Sequence, residues 1–147
     1  MIGGRINVKG MCLFKYDGKV LLTKGYDSVK DEYFYRVPGG HVEFKETAEQ
    51  GLRREIREEL QSDIGDLVLV DVIENIFEYE GESGHEIIFL YTGKLTDTSL
   101  YDRKVVPFLE DDGSEHEAVW INVSDIIARE VLVYPTFEFR KVLAGRK

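Results

Sequence analysis

The chain predicts an α/β (α+β) fold, a mixed central sheet with helices packed against it. Short runs of residues alternate apolar and polar at the strand period and recur along most of its length. One segment, Thr47 to Leu60, instead repeats its apolar residues Ala48, Leu52, Ile56 and Leu60 at helical spacing. A second helical stretch closes the chain. Strands, one helix, more strands and a last helix fit a sheet covered by helices.

Ile6–Phe14 and Lys19–Thr23 read as strands, and Tyr16-Asp17-Gly18 supplies a tight hairpin turn between them. Gly25–Glu32 is mostly polar and reads as a loop. Tyr33–Val37 is a short strand running into Pro38-Gly39-Gly40. The helix starts at Thr47, a residue suited to an N-cap, and ends near Leu60. Leu67–Tyr79 and Glu86–Leu95 are strand-like, punctuated by Gly81-Glu82-Ser83-Gly84. Thr96–Glu115 reads as a long loop, and Ala118–Asn122 as a strand. Ser124 is placed to cap a short helix, and Pro135–Leu143 can form the closing one with Pro135 in its first turn.

Residues 1–147 fit one domain, long enough to bury a substantial core. No apolar run approaches the roughly 20 residues needed to span a bilayer. The N-terminus lacks the apolar stretch of a secretory signal. Cys12 is the only cysteine, which points to a reducing, cytoplasmic setting and to a small strand residue facing the core. The net charge of −9 argues against binding long nucleic acid through a basic surface, and no membrane partner is expected. A small phosphorylated substrate remains compatible, because a bound cation reverses the local field.

The segment Arg54-Glu55-Ile56-Arg57-Glu58-Glu59 carries the chemistry. At about 100° per residue, with Glu55 at zero, Glu59 falls near 40° and Glu58 near 300°. The apolar positions fall between about 20° and 140°, so the acids overlap the edge of the core-facing stripe. Half-buried like charges are costly unless compensated, and a hard divalent cation is the natural compensation. The bland alternative is a solvated face, since Glu49 with Arg53 and Arg54 with Glu58 are ordinary i,i+4 pairs. The Gly-Gly turn and Glu46 in fixed register upstream favour a site.

This segment resembles the Nudix box. Gly40, Glu46, Arg54, Glu55, Ile56, Glu58 and Glu59 fill the pattern without a gap. Gln61 stands where that family has glycine, and Ser62 where it has an aliphatic residue. Glycine past a helix end usually supplies a left-handed cap, so Gln61 is either strained or the helix exits near Ser62-Asp63 or Gly65. Arg36-Val37-Pro38 resembles the usual lead-in.

The resemblance implies an α/β/α sandwich and hydrolysis of a phosphoanhydride in a nucleoside diphosphate linked to another group. ADP-ribose and noncanonical nucleoside triphosphates are both open. It implies Mg2+, with Mn2+ as a substitute, held by Glu55, Glu58, Glu59 and the Gly39 carbonyl. Glu55 could also take the proton of the attacking water, a role that competes with binding metal. Arg54 is counted with the catalytic residues; paired with Glu46 it would anchor the Gly40 loop to the helix, or it would bind phosphate directly. Arg36, His41 and Glu43 are candidate substrate contacts, and Glu43 could orient a water beside the metal. A further acid from a later loop would be Glu115, with Glu117 as second choice. His41, His85 and His116 share no zinc spacing. His85-Glu86 opens a strand and could face the cleft. Tyr33, Phe34, Tyr35, Phe77 and Tyr79 are expected mostly in the core, with one or two free to stack on a base. A small-molecule nucleotide is the implied partner, and many relatives in that family pair as homodimers. The alternative function, a noncatalytic nucleotide-sensing domain, would be expected to lose a box carboxylate, and none is lost.

Overall fold

The computed structural model describes residues 4–110 and 112–137. Its strands are β1 (Asn7–Tyr16), β2 (Lys19–Asp27), β3 (Glu32–Arg36), β4 (Gly39–His41), β5 (Ile64–Tyr79), β6 (Glu82–Leu95), β7 (Val105–Leu109), β8 (Glu115–Asn122) and β9 (Val133–Tyr134). The helices are α1 (Ala48–Leu60), a 3-10 turn at Thr98–Asp102, and the short α2 (Val123–Ile127).

β1 is the hinge of the sheet. It runs parallel to β6 from Asn7 to Phe14. Its first half also pairs antiparallel with β4, and its last residues pair with β2. β2 then carries β3 on one side and β8 on the other, and β7 lies outside β8. The long β5–β6 hairpin forms the opposite edge. This is the mixed sheet the sequence predicts.

Both hairpin turns follow local chemistry. Asp17-Gly18 and Glu80-Gly81 take positive φ at both positions, the geometry that matches strand twist. The apolar run Met11-Cys12-Leu13-Phe14 is buried on both faces. Cys12 and Phe14 join a cluster under α1 with Leu52, Ile56 and Phe108. Met11 and Leu13 face the other way, into a cluster with Leu22, Ile88, Leu90 and Ile126. Cys12 is fully buried, and that burial raises its thiol pKa, so it is inert packing. Leu52 and Ile56 are also fully buried, each worth about 1.5–3 kcal/mol relative to exposure.

Several boundaries differ from the sequence reading. β2 extends through Gly25 to Asp27, shortening the expected loop. Thr96–Glu115 is not one loop, because the 3-10 turn and β7 lie within it. Pro107 obscures β7 in the sequence, and it is tolerated because β7 pairs with β8 alone among the described residues. Asn122, not Ser124, occupies the N-cap of α2, without a side-chain cap bond. The closing helix expected over Pro135–Leu143 has no helical turn at residues 135–137, and residues 138–143 lie outside the described residues.

Candidate active site

Helix α1 begins where the sequence places it. Thr47 Oγ1 accepts from the Gln50 N–H at 3.1 Å, and Gln50 Oε1 accepts from the Thr47 N–H at 2.9 Å, a reciprocal capping box. This fixes the helix phase. Glu55 and Glu59 are buried, 5% and 6% exposed, and Glu58 is outside. The angular positions explain the split. Glu58 lies farthest from the centre of the apolar stripe, about 140° away, and Glu59 nearest, about 40°.

At the helix exit Gln61 itself adopts the left-handed conformation, φ 56° and ψ 41°. A non-glycine residue there costs on the order of 1 kcal/mol. Ser62 is buried, donates to the Asp63 carbonyl at 2.9 Å and accepts from the Asp97 N–H at 3.1 Å. A hydroxyl therefore replaces the expected aliphatic contact by tying α1 to the loop after β6. Both departures from the box pattern are confined to this exit.

Arg54 clamps the glycine loop to the helix. Its Nε and Nη2 donate to the two Glu46 oxygens at 2.8 and 3.0 Å. Nη2 also donates to the His41 carbonyl at 3.1 Å, and Nη1 to Glu55 at 3.1 Å and Glu58 at 3.3 Å. Five N–H groups make five bonds, so no donor remains for a phosphate. Glu46 completes the clamp by accepting from the Glu43 N–H at 2.9 Å. The Arg54 bond, then the Glu43 N–H, lower the Glu46 pKa to about 2. The same partner raises Arg54 above its usual value.

Glu55 and Glu59 line a cavity of about 150 Å³ together with Lys9, Arg36, Gly39, Gly40, His41 and Glu110. Glycine is required at the turn. Gly39 has φ +148°, and a Cβ there would collide with the Gly10 carbonyl and lie 2.7 Å from Met11 Cα. A Cβ on Gly40 would lie 2.5 Å from Glu55 Oε2. The missing side chain is the space the Glu55 carboxylate occupies.

A larger cavity of about 760 Å³ adjoins the first, sharing Arg36 and Glu110 with it. Tyr26, Tyr33 and Tyr79 supply aromatic surface, with Lys24, His116 and Glu117 also in the lining. Tyr33 is 63% exposed, packs against Tyr26 at 4.7 Å, and has Lys24 Nζ 4.5 Å over its ring. Of the aromatics weighed in the sequence, Tyr33 and Tyr79 reach this cavity and Phe34 is buried in the fold.

Other sequence candidates lie elsewhere. Glu58 lines neither cavity and faces Arg54 instead. Among the described residues no three His, Cys, Asp or Glu side chains form a ready metal-holding group. Of the three carboxylates expected to cluster, Glu55 and Glu59 are buried and Glu58 is exposed, sharing the Arg54 Nη1 donor with Glu55. Glu43 is exposed at 3.9 Å from Arg54 and lines neither cavity. Glu115 likewise lines neither, whereas Glu117 lines the larger and Glu110 lines both.

Glu110 and Lys9 escaped the sequence reading. Glu110 sits at the end of a strand hidden by Pro107. Lys9 Nζ lies 2.7 Å from Glu86 Oε2, and Asn75 Nδ2 donates to Glu86 Oε1 at 3.5 Å. The available signal was Glu86 itself, a lone acid opening the apolar run Ile87-Ile88-Phe89-Leu90. A buried acid there calls for a cation, and Lys9 supplies it from the adjoining strand.

The fold and the site define an α+β protein in which the one long helix among the described residues turns two buried acids onto a glycine turn. The NUDIX domain model matches residues 5–141, and the chain belongs to this family. Membership makes it a hydrolase acting on pyrophosphate bonds. Solved structures agree on the fold. A NUDIX hydrolase from Nitrosomonas europaea aligns at TM-score 0.61 and 19% identity, over 88% of this chain and 81% of that one. A MutT NUDIX hydrolase from Burkholderia pseudomallei aligns at TM-score 0.55 and 21% identity, over 96% and 95%. The E. coli ORF135 protein aligns at TM-score 0.51 and 22% identity, over 89% and 82%. No helix among the described residues is long and apolar enough to cross a membrane.

Proposed function

We propose that the protein is a Mg2+-dependent hydrolase of a nucleoside diphosphate linked to a further group, with ADP-ribose and noncanonical nucleoside triphosphates as the two substrate types to separate. The observation that carries this reading is the pair of adjoining cavities. One is small, lined by Glu55, Glu59 and Glu110 over the glycine turn; the other is larger and walled by tyrosines. A phosphoanhydride fits the first and a nucleoside the second, with Arg36 between them to meet phosphate oxygens.

The donor set fits a hard cation. Glu55, Glu59 and the Gly39 carbonyl would offer oxygen and no soft ligand, and Glu110, on the same cavity wall, would have to swing inward to join them. When bound, Mg2+ neutralises phosphate charge and makes its water more acidic. Hydrolysis adds water across the P–O–P bond: the water oxygen joins one phosphorus, the bridging oxygen leaves with the other phosphate, and one water proton passes to a base. Glu55 would serve either as a cation ligand or as the acceptor of that proton, and the Arg54 Nη1 bond holds one of its oxygens. Lys9 lines the same cavity with its charge already paired to Glu86 at 2.7 Å, so it could donate a hydrogen bond to a phosphate oxygen but adds no net charge. Glu46 and Arg54 position the loop and make no substrate contact. A screen of nucleotide substrates with Mg2+ and product identification tests the reading. Release of a nucleoside monophosphate from at least one of them is expected. No phosphoanhydride cleavage by folded protein across the panel would overturn it.

A further inference from the structure

A third cavity, of about 350 Å³, lies apart from the first two and shares no lining residue with them. It sits at the far end of β1, where Tyr16 is five residues beyond Met11, or about 17 Å along the strand. Three rings form one wall. Tyr101 stacks on Trp120 at 5.4 Å and 27°, and Tyr16 packs against Tyr101 at 5.0 Å. The platform is fixed from below. Trp120 Nε1 donates to the Leu100 carbonyl at 3.3 Å, and the Tyr101 hydroxyl accepts from the Leu95 N–H at 2.8 Å. Tyr16 remains 48% exposed.

Lys19, Arg103 and Lys104 line the same cavity. None of the three is in an ion pair among the described residues, unlike Arg53, Arg54 and Arg57. Asp17 and Asp102 share the lining, which leaves the cations in excess by one. That is a local reversal of sign on a chain of net charge −9.

We propose that this cavity is a second, noncatalytic site for a mononucleotide, with the base against the Tyr16–Tyr101–Trp120 platform and the phosphate on Lys19, Arg103 and Lys104. Fixed aromatic faces accept any base by stacking, and clustered unpaired cations select an anionic tail. The volume falls in the range of about 300–1,000 Å³ typical of small-molecule sites. The chain's overall negative charge opposes a long polynucleotide, whose affinity would come from many cation contacts. The site stands independently of the catalytic reading, because it uses none of its residues.

Trp120 is the only tryptophan, so its emission reports on this cavity. Nucleoside monophosphates are suitable probes, since they contain no phosphoanhydride to be consumed. Titration of the full chain should quench Trp120 saturably with a Kd of about 1 mM or tighter, and the matching nucleoside should bind at least about tenfold more weakly. The double variant Arg103→Ala/Lys104→Ala, and separately Tyr16→Ala, should weaken the quench about tenfold or more while circular dichroism stays unchanged. Glu59→Gln should leave it unaltered. Absence of saturable quenching by every monophosphate, equal affinity for the bare nucleoside, or loss of quenching in Glu59→Gln but not in Arg103→Ala/Lys104→Ala would each overturn the proposal.

Discussion

Gly40→Ala separates chemistry from folding. The new Cβ would lie 2.5 Å from Glu55 Oε2 and 2.8 Å from its Cγ, whereas ordinary contact begins at 3.4 Å. The Glu55 carboxylate must therefore retreat by about 1 Å, a displacement that costs roughly 100-fold in rate when it falls on a reacting group. That corresponds to about 2.7 kcal/mol of barrier. The obstructing atoms are the end of a flexible side chain, and Gly40 does not have positive φ, so the backbone can stay where it is. Stability should change by less than about 2 kcal/mol, with local crowding offset in part by the lower entropy of the unfolded chain. The assay is kcat/KM on the best substrate beside the melting temperature. Gly65→Ala is the control, because a Cβ there meets nothing closer than 3.9 Å. A well-folded Gly40→Ala enzyme within about threefold of wild type would refute the placement of Glu55 at the reacting centre.

Arg54→Ala and Glu46→Ala should share one defect, a lower melting temperature and a Mg2+ affinity weakened about 10–100-fold, with the double variant less than additive; unchanged stability with a raised KM in Arg54→Ala alone would instead indicate a phosphate contact. Glu59→Gln should lower turnover about 100-fold and Glu58→Gln by less than about tenfold, because only Glu59 lines the acid cavity; equal losses at saturating Mg2+ would return Glu58 to the reacting centre. Glu46 also predicts an acid dependence. Its folded pKa is depressed from 4.5 to about 2, so its contribution is fully present above pH 4.5 and is lost as pH falls toward 2. The melting-temperature gap between wild type and Glu46→Gln should narrow over that window, and a gap constant from pH 7 to 2 would contradict the clamp.

Local signals made the helix and its cap legible. Thr47 and Gln50 cap each other within four residues, and the 3.6-residue period fixes which acids turn inward. The Arg54–Glu46 contact was legible only through the family pattern, since nothing in an eight-residue separation dictates it. Glu110 was hidden because Pro107 disguises the strand that delivers it, and pairing to β8 is a long-range event. The brace of Lys9 on Glu86 depends on the parallel β1–β6 register, with Asn7 opposite Glu86. Register of that kind is set by tertiary packing and leaves no local mark. The Glu58 contact with Arg54, an i,i+4 pair, was by contrast legible from helix spacing alone.

Buried carboxylates on α1, with a divalent cation, are proposed to direct water onto a phosphoanhydride. The most direct test is turnover of the best substrate after exhaustive chelation, then with Mg2+ restored stepwise, in 18O-labelled water with products weighed by mass spectrometry. Turnover should be absent without the cation, recover saturably with it, and leave one labelled oxygen in a phosphate product. Undiminished turnover in the chelated enzyme, or products free of the label, would contradict the proposal.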